Sequence, residues 1–192
     1  MSEMDFNRDH YRTPKYIFNW LRHRHGWFHI DGCATEEDAL APHWIGPGSD
    51  ICEDFLSDDL LDVLLEQVIE QADLLRFYVN PPYSDPLPFV KRAAELRNAG
   101  YVVVMLLPAD KTVEWYKVVQ DNANEVIDII GYYDEKNNKY HSGRIRFINP
   151  KTGKEVAGNN KGSMIVVFDP FVEGFFTRQV SLKLIKEWGC PV

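Results

Sequence analysis

Hydrophobic positions along this chain switch repeatedly between helical and strand spacing, and the switches mark out the elements. Ile17, Phe18 and Leu21 recur at helical spacing, with Thr13 placed to cap the helix and Pro14 at its first position. Trp27 to Asp31 alternates as a strand that ends in a carboxylate and runs into the small residues Gly32, Cys33 and Ala34. Thr35 to Leu40 reads as a cap and acidic first turn of a short helix or turn, and Pro42 to Asp50 as a Pro/Gly loop. A short strand is expected near Ile51 and Cys52, ending at the corner Glu53-Asp54-Phe55-Leu56. Leu60, Leu61, Val63, Leu64, Leu65, Val68 and Ile69 predict an amphipathic helix running to about Ala72.

The second half continues the alternation. A strand over Arg76 to Val79 meets the corner Asn80-Pro81-Pro82-Tyr83, and a helix from about Pro88 to Asn98 closes at Gly100. Tyr101 to Leu107 is a continuous apolar, β-branched run, the pattern of a strand buried on both faces, and Pro108 ends it. A helix over roughly Thr112 to Ala123 follows, and then strands at Val126 to Ile130, Arg144 to Phe147 and Met164 to Phe168. Alternating strands and helices with a strand-rich end predict an α/β fold, its sheet mostly parallel with an antiparallel edge. Ligands of such sheets gather at the carboxyl ends of the strands, where Asp31 and Asn80 are both expected.

A chain of 192 residues buries one substantial core, so a single domain over 1–192 is expected. The longest apolar run is far too short to span a bilayer and the first ten residues lack the apolar stretch of a signal peptide, which predicts a cytoplasmic protein. Cys33, Cys52 and Cys190 show no metal-ligand spacing, and His23, His25 and His29 have no supporting cysteine or carboxylate pattern, so no metal is expected. The formal charge is −8, but it is unevenly spread. Residues 131–163 carry seven basic against three acidic side chains, while the rest of the chain carries 14 against 26. A local basic segment on an acidic body is compatible with a small phosphate-backbone footprint, or with a solvated loop.

The chemistry concentrates in Asn80-Pro81-Pro82-Tyr83. A polar amide, two rigid prolines and an aromatic ring at a strand end offer hydrogen-bond acceptors beside a flat stacking surface. That combination suits an exocyclic amino group on a planar base. The alternative for the same residues is a strand that simply ends in a Pro-Pro turn.

Taken with Thr13-Pro14, Phe28-His29-Ile30-Asp31, Cys33-Ala34, Val103 to Ala109, Gly143 to Phe147 and Val166-Val167-Phe168, this corner resembles the bacteriophage DNA N6-adenine methyltransferase family. The segments run in the family's order from Thr13 to Phe168. The resemblance implies a single-domain, Rossmann-like methyltransferase sheet with helices on both faces and no separate target-recognition domain. It implies S-adenosylmethionine as cofactor and duplex DNA as partner, its target adenine flipped out, with the host bacterial cytoplasm as the place of action. Asn80, Pro81, Pro82 and Tyr83 would then be catalytic. Thr13, Pro14, Asp31, Gly32, Cys33 and Ala34 would border the methionine part of the cofactor, although Asp31-Gly32-Cys33-Ala34 departs from the Gly-x-Gly loop of many methyltransferases. Asp54 is the candidate for the ribose or adenine, with a plain capping role as its alternative.

Phe147 is a candidate second face of the base stack, with a core phenylalanine as the competing reading. Arg144 and Arg146, alternating with it, are candidates for phosphates. Two other functions stay open: transfer to the N4 amino group of cytosine, and a catalytically silent module that holds nucleic acid or a partner on the same fold. Target sequence and oligomeric state are not legible.

Overall fold

The structure is a computed structural model that describes residues 8–67, 75–156 and 160–190. A short 3₁₀ turn, Arg8–His10, leads into α1 (Lys15–His25). Then come β1 (Ile30–Asp31), β2 (His43–Trp44), α2 (Leu60–Gln67), β3 (Arg76–Val79), α3 (Leu87–Asn98), β4 (Val102–Pro108) and α4 (Glu114–Asn122). The chain continues with β5 (Glu125–Ile130), the hairpin β6 (Tyr132–Asp134) and β7 (Lys139–His141), β8 (Ser163–Phe168), β9 (Phe176–Ser181) and α5 (Leu182–Gly189).

Seven strands form one sheet in the order β2-β1-β3-β4-β8-β5-β9. It is mostly parallel, with antiparallel pairing confined to one side, as the alternation of elements predicts. The expectation of an antiparallel edge needs one refinement. The reversed strand is β8, which pairs antiparallel with both β4 and β5, whereas the outermost strand β9 runs parallel to β5. β8 and β9 run in opposite directions across a short connection, and β5 fills the slot between them by bonding to both.

Side-chain alternation in β4 shows how the sheet is covered. Val103, Met105 and Leu107 pack with Leu64 of α2, Val90 and Leu96 of α3, and Trp115 and Val119 of α4. Val102, Val104 and Leu106 pack with Ile17, Phe18 and Leu21 of α1 and Leu182 and Ile185 of α5. Each strand residue faces one of two apolar layers, so helices cover both faces and β4 is buried along its whole length. Burying each such side chain stabilises the fold by about 1.5–3 kcal/mol.

Several expected elements differ, each for a physical reason. α1 starts at Lys15 with Pro14 at the cap, because the Thr13 hydroxyl is bonded to Tyr78 and caps nothing. No strand forms at Ile51 and Cys52, whose backbone N–H groups both donate to Ser49 Oγ. The segment 42–50 contains β2, added parallel to β1. Residues 35–40 form a turn in which Thr35 N–H and Oγ1 both bond Asp38 Oδ1. Arg144 to Phe147 keeps its alternation, with Ile145 and Phe147 buried and both arginines exposed, but joins no sheet. The following residue, Ile148, exchanges backbone bonds with Arg12 at 2.9 Å in each direction. The expected end of the helix from Leu60, including Val68, Ile69 and Ala72, lies outside the described residues.

Candidate active site

β1, β3 and β4 run parallel, so the chain leaves all three at the same margin of the sheet. At that margin opens a cleft of about 1010 Å³ lined by Thr13, Asp31, Gly32, Cys33, Ala34, Asp54, Asn80 and Pro82, among others. Segments far apart in sequence thus meet in one cavity, and the expected shared crevice for Asp31 and Asn80 is found.

Asp31 is 3% exposed, with Oδ2 accepting the Leu40 N–H at 3.1 Å and Oδ1 the Cys33 N–H at 3.4 Å. Burial pushes its carboxyl up to about 7; the two backbone donors oppose this, and nearby Asp38 adds to it. Gly32 donates its N–H to the Tyr78 carbonyl at 2.7 Å. A Cβ at Gly32 would come within 2.9 Å of Val79 Cγ2 and 3.0 Å of the Phe55 ring, so the turn after β1 requires a residue without a side chain. Small residues recur where Ala34 passes Gly46, whose φ of +153° and contact with the Ala34 carbonyl leave no room for a Cβ.

Thr13 enters the wall through its hydroxyl, 2.7 Å from the Tyr78 hydroxyl in a buried bond. Arg12 beside it pairs with Asp38 at 3.1 Å and Glu37 at 3.5 Å. Pro14 does not line the cleft; its carbonyl accepts the Ile17 N–H at 3.0 Å and starts α1. Asp54 lines the cleft while its Oδ1 accepts the Leu56 N–H at 2.9 Å, so it both shapes its own turn and faces the cavity.

Asn80 Oδ1 is buried and has no hydrogen-bond partner. Pro82 lines the cleft beside it, and the loop is held where the Ser84 N–H donates to Asp9 at 3.2 Å. Tyr83 turns its hydroxyl inward, buried and without a completed hydrogen bond, as is that of Ser163 at the start of β8. Burial pushes the Tyr83 phenol well above its ordinary value, with the Ser163 hydroxyl acting in the opposite sense. Phe147 meets Tyr83 edge-on, centroids 5.8 Å apart at 86°, and is itself buried. The two rings therefore do not form parallel walls of a slot; Phe147 braces Tyr83. Arg144 and Arg146 lie on the exposed side of the same segment, outside the cleft, with Arg146 3.7 Å from Glu155.

Sequence reasoning missed Tyr78, Arg12 and the Phe55–Phe89 pair, whose rings stack at 6.1 Å and 7° in the cleft wall. The available signals were a polar-tipped Tyr inside an apolar strand and an aromatic next to Asp54. The lining carries Asp9, Asp31, Glu36, Glu37, Asp38, Glu53 and Asp54, against Arg12 and His10. Such walls favour a small cationic ligand and disfavour a polyanion. S-adenosylmethionine, with its sulfonium and ammonium groups, fits this donor set. Among the described residues no group of three or more His, Cys, Asp or Glu is arranged to hold a metal. His29 uses Nδ1 to accept the Arg76 N–H at 3.1 Å. No helix among the described residues is long and apolar enough to cross a membrane.

The profile of the family described as DNA N-6-adenine-methyltransferase (Dam) matches residues 2–189. The chain is 35% identical over 173 residues to the DNA N-6-adenine-methyltransferase of Escherichia phage T1, a match covering 88% of this chain and 66% of that protein. It is 32% identical over 191 residues to the protein of the same name from Haemophilus phage HP1 (strain HP1c1), covering 95% and 92%. The chain thus spans about two thirds of the first relative and nearly all of the second. No solved structure matches it.

Proposed function

The chain belongs to the DNA N-6-adenine-methyltransferase family, and from that membership we propose that it transfers a methyl group from S-adenosylmethionine to the N6 amino group of adenine in DNA. The observation that carries the reading is Asn80 Oδ1, a buried acceptor with no partner at the wall of an acidic cleft. Leaving such an atom unpaired costs about 1–3 kcal/mol, a cost relieved when a ligand's N–H fills the position.

The amino nitrogen of adenine is a poor nucleophile because its lone pair is delocalised into the ring. Asn80 Oδ1 and the Pro81 carbonyl accept its two hydrogens and draw them out of the ring plane, which concentrates electron density on the nitrogen. Pro81 and Pro82 hold these acceptors in place beforehand. When bound, S-adenosylmethionine supplies a methyl group activated by its positively charged sulfur, so positioning and electrostatics are what the protein must add. Asp31, Thr13 and the turn Gly32-Cys33-Ala34 border its methionine part, with Pro14 fixing the start of α1 behind them. Asp54 faces its ribose, and Phe89 with Phe55 offers an apolar surface for its adenine.

Tyr83, braced by Phe147, stacks on the target base, which leaves the duplex to reach the corner. Arg144 and Arg146 meet phosphates. Small cationic cofactor and polyanionic substrate are thereby assigned to different surfaces, the acidic cleft and the basic segment 131–163. A single domain does all of this, and target reading falls to exposed loops, among them the β6–β7 hairpin with Tyr133 and Tyr140 exposed. Its relatives being phage proteins, action in a bacterial cytoplasm is part of the same reading.

The test is transfer of labelled methyl to unmethylated DNA, followed by nucleoside mass analysis. N6-methyladenine is the expected product. N4-methylcytosine, or no product from folded protein, overturns the reading.

A further inference from the structure

Ser163 opens β8, a strand otherwise apolar from Met164 to Phe168, and it is 0% exposed. The register puts it beside the Asn80 corner. Val79, the last residue of β3, pairs with Met105 of β4, and three residues further along β4 Pro108 pairs with Ser163. Ser163 therefore stands at the margin where the chain leaves β3 for Asn80 to Tyr83. Ile165 and Val167 of β8 pack in the apolar layer under α1 together with Phe147 and Tyr83, and strand alternation turns Ser163 to that same face. Among the described residues neither the Ser163 hydroxyl nor the Tyr83 hydroxyl completes a hydrogen bond, although both are buried. Burial raises the Tyr83 phenol while the Ser163 hydroxyl lowers it, so the two groups lie within reach of each other.

A buried hydroxyl without a partner destabilises the folded chain, and an alanine would fill the Ser163 position without that loss. Phe147 meets the Tyr83 ring edge-on and supports its side, yet leaves the hydroxyl end untied. Given that Tyr83 stacks on the adenine, as the proposed function has it, we propose that Ser163 is a positioning residue for methyl transfer. With the target base on the Tyr83 ring, the phenol O–H donates to Ser163 Oγ, and the closed bond fixes the ring plane relative to Asn80 Oδ1. A ring held both at its edge and at its hydroxyl sets the height and tilt of the base, and with them the approach of the amino nitrogen to its acceptors and to the methyl donor. Ser163 lines no part of the cleft, so it acts through Tyr83 and touches neither base nor cofactor. Phosphate contacts supply most of the affinity for DNA and do not pass through these two hydroxyls.

Single-turnover methyl transfer at saturating S-adenosylmethionine and unmethylated DNA tests this on the wild type, Ser163→Ala, Tyr83→Phe and the double variant. Each single change should slow the chemical step by about tenfold, while the affinities for DNA and for S-adenosylmethionine stay within about twofold. The double variant should be no slower than the slower single one, because both changes remove the same bond. Ser163→Cys, which keeps the volume and weakens the acceptor, takes the place of Ser163→Ala should the alanine variant not fold. Rates that multiply in the double variant overturn the proposal, and so does a wild-type rate in either single variant. Loss of DNA or cofactor affinity with an unchanged rate also overturns it, since that is the mark of a merely structural serine. A folded wild type that makes no N6-methyladenine overturns the proposed function itself, and this role of Ser163 with it.

Discussion

Thr13 Oγ1 lies 2.7 Å from the hydroxyl oxygen of Tyr78, and the bond is buried. It ties Thr13, two residues ahead of α1, to β3 two positions ahead of Asn80, and so links one wall of the cleft to the strand that leads into the Asn80 corner. Tyr78 itself packs edge-on against both Phe18 and Phe28, which hold its ring in place.

Removing either partner leaves the other buried and unpaired. Tyr78→Phe and Thr13→Val should each destabilise the protein by about 1–3 kcal/mol, and the double variant by clearly less than the sum. Urea denaturation of the four proteins measures this. Additive destabilisation would mean that the bond is not made.

Gly32→Ala places a methyl group against Val79 and the Phe55 ring, both held by the core. Overpacking of this kind costs about 1–3 kcal/mol. Because the strain sits at the cleft floor, S-adenosylmethionine affinity should fall together with stability, as calorimetry and thermal melts would show. Unchanged affinity in the variant would separate Gly32 from the cofactor.

Asp31 sets a pH dependence. Its carboxyl is raised to about 7 from an ordinary value of 3.8. Between those values the folded state binds the proton and the unfolded state does not, so this group makes stability fall as pH rises through the window and level off above it. Affinity for a cationic cofactor runs the other way, because the carboxylate that attracts it forms only as pH rises through about 7. Titrations of S-adenosylmethionine across about pH 6 to about pH 8 should show tightening with proton release. Asp31→Asn should flatten the profile, and a flat profile in the wild type would contradict the assignment.

Arg144 and Arg146 project from the exposed side of their segment, outside the acidic cleft. Arg144→Ala combined with Arg146→Ala should weaken DNA binding and reduce the slope of log K against log salt by roughly 0.9 for each phosphate that the protein no longer neutralises. Cofactor affinity should not change. Fluorescence anisotropy at several salt concentrations decides it, and an unaltered slope would remove both arginines from the DNA surface.

The parts of this fold legible in sequence were those where pattern and burial agree. Phe77 to Val79 and the run into Pro108 are buried on both faces, and their apolar character gave both position and type. β9 was not legible, because Phe-Thr-Arg-Gln-Val-Ser at an exposed edge carries no clean alternation. The β6–β7 hairpin was missed because its strands are three residues each and its turn rests on Asn138 at φ 52°, with no Asn-Gly signal. Arg144 to Phe147 shows the limit of periodicity: the alternation correctly sorted buried from exposed residues, yet the backbone partner of the adjoining Ile148 is Arg12, far away in sequence. At the site, Asp31, Asn80 and their neighbours were readable from strand ends. The Thr13–Tyr78 bond and the Phe55–Phe89 stack were not, since each depends on a tertiary approach that no local pattern encodes.

The most direct test of the central claim is single-turnover methyl transfer to an adenine-containing duplex by the wild type and Asn80→Ala, with S-adenosylmethionine affinity measured on both. If Asn80 Oδ1 is the acceptor that activates the amino group, the variant is slower by at least about a hundredfold in the chemical step and binds the cofactor within a few fold of the wild type. An Asn80→Ala protein that methylates adenine at a comparable rate would contradict the account.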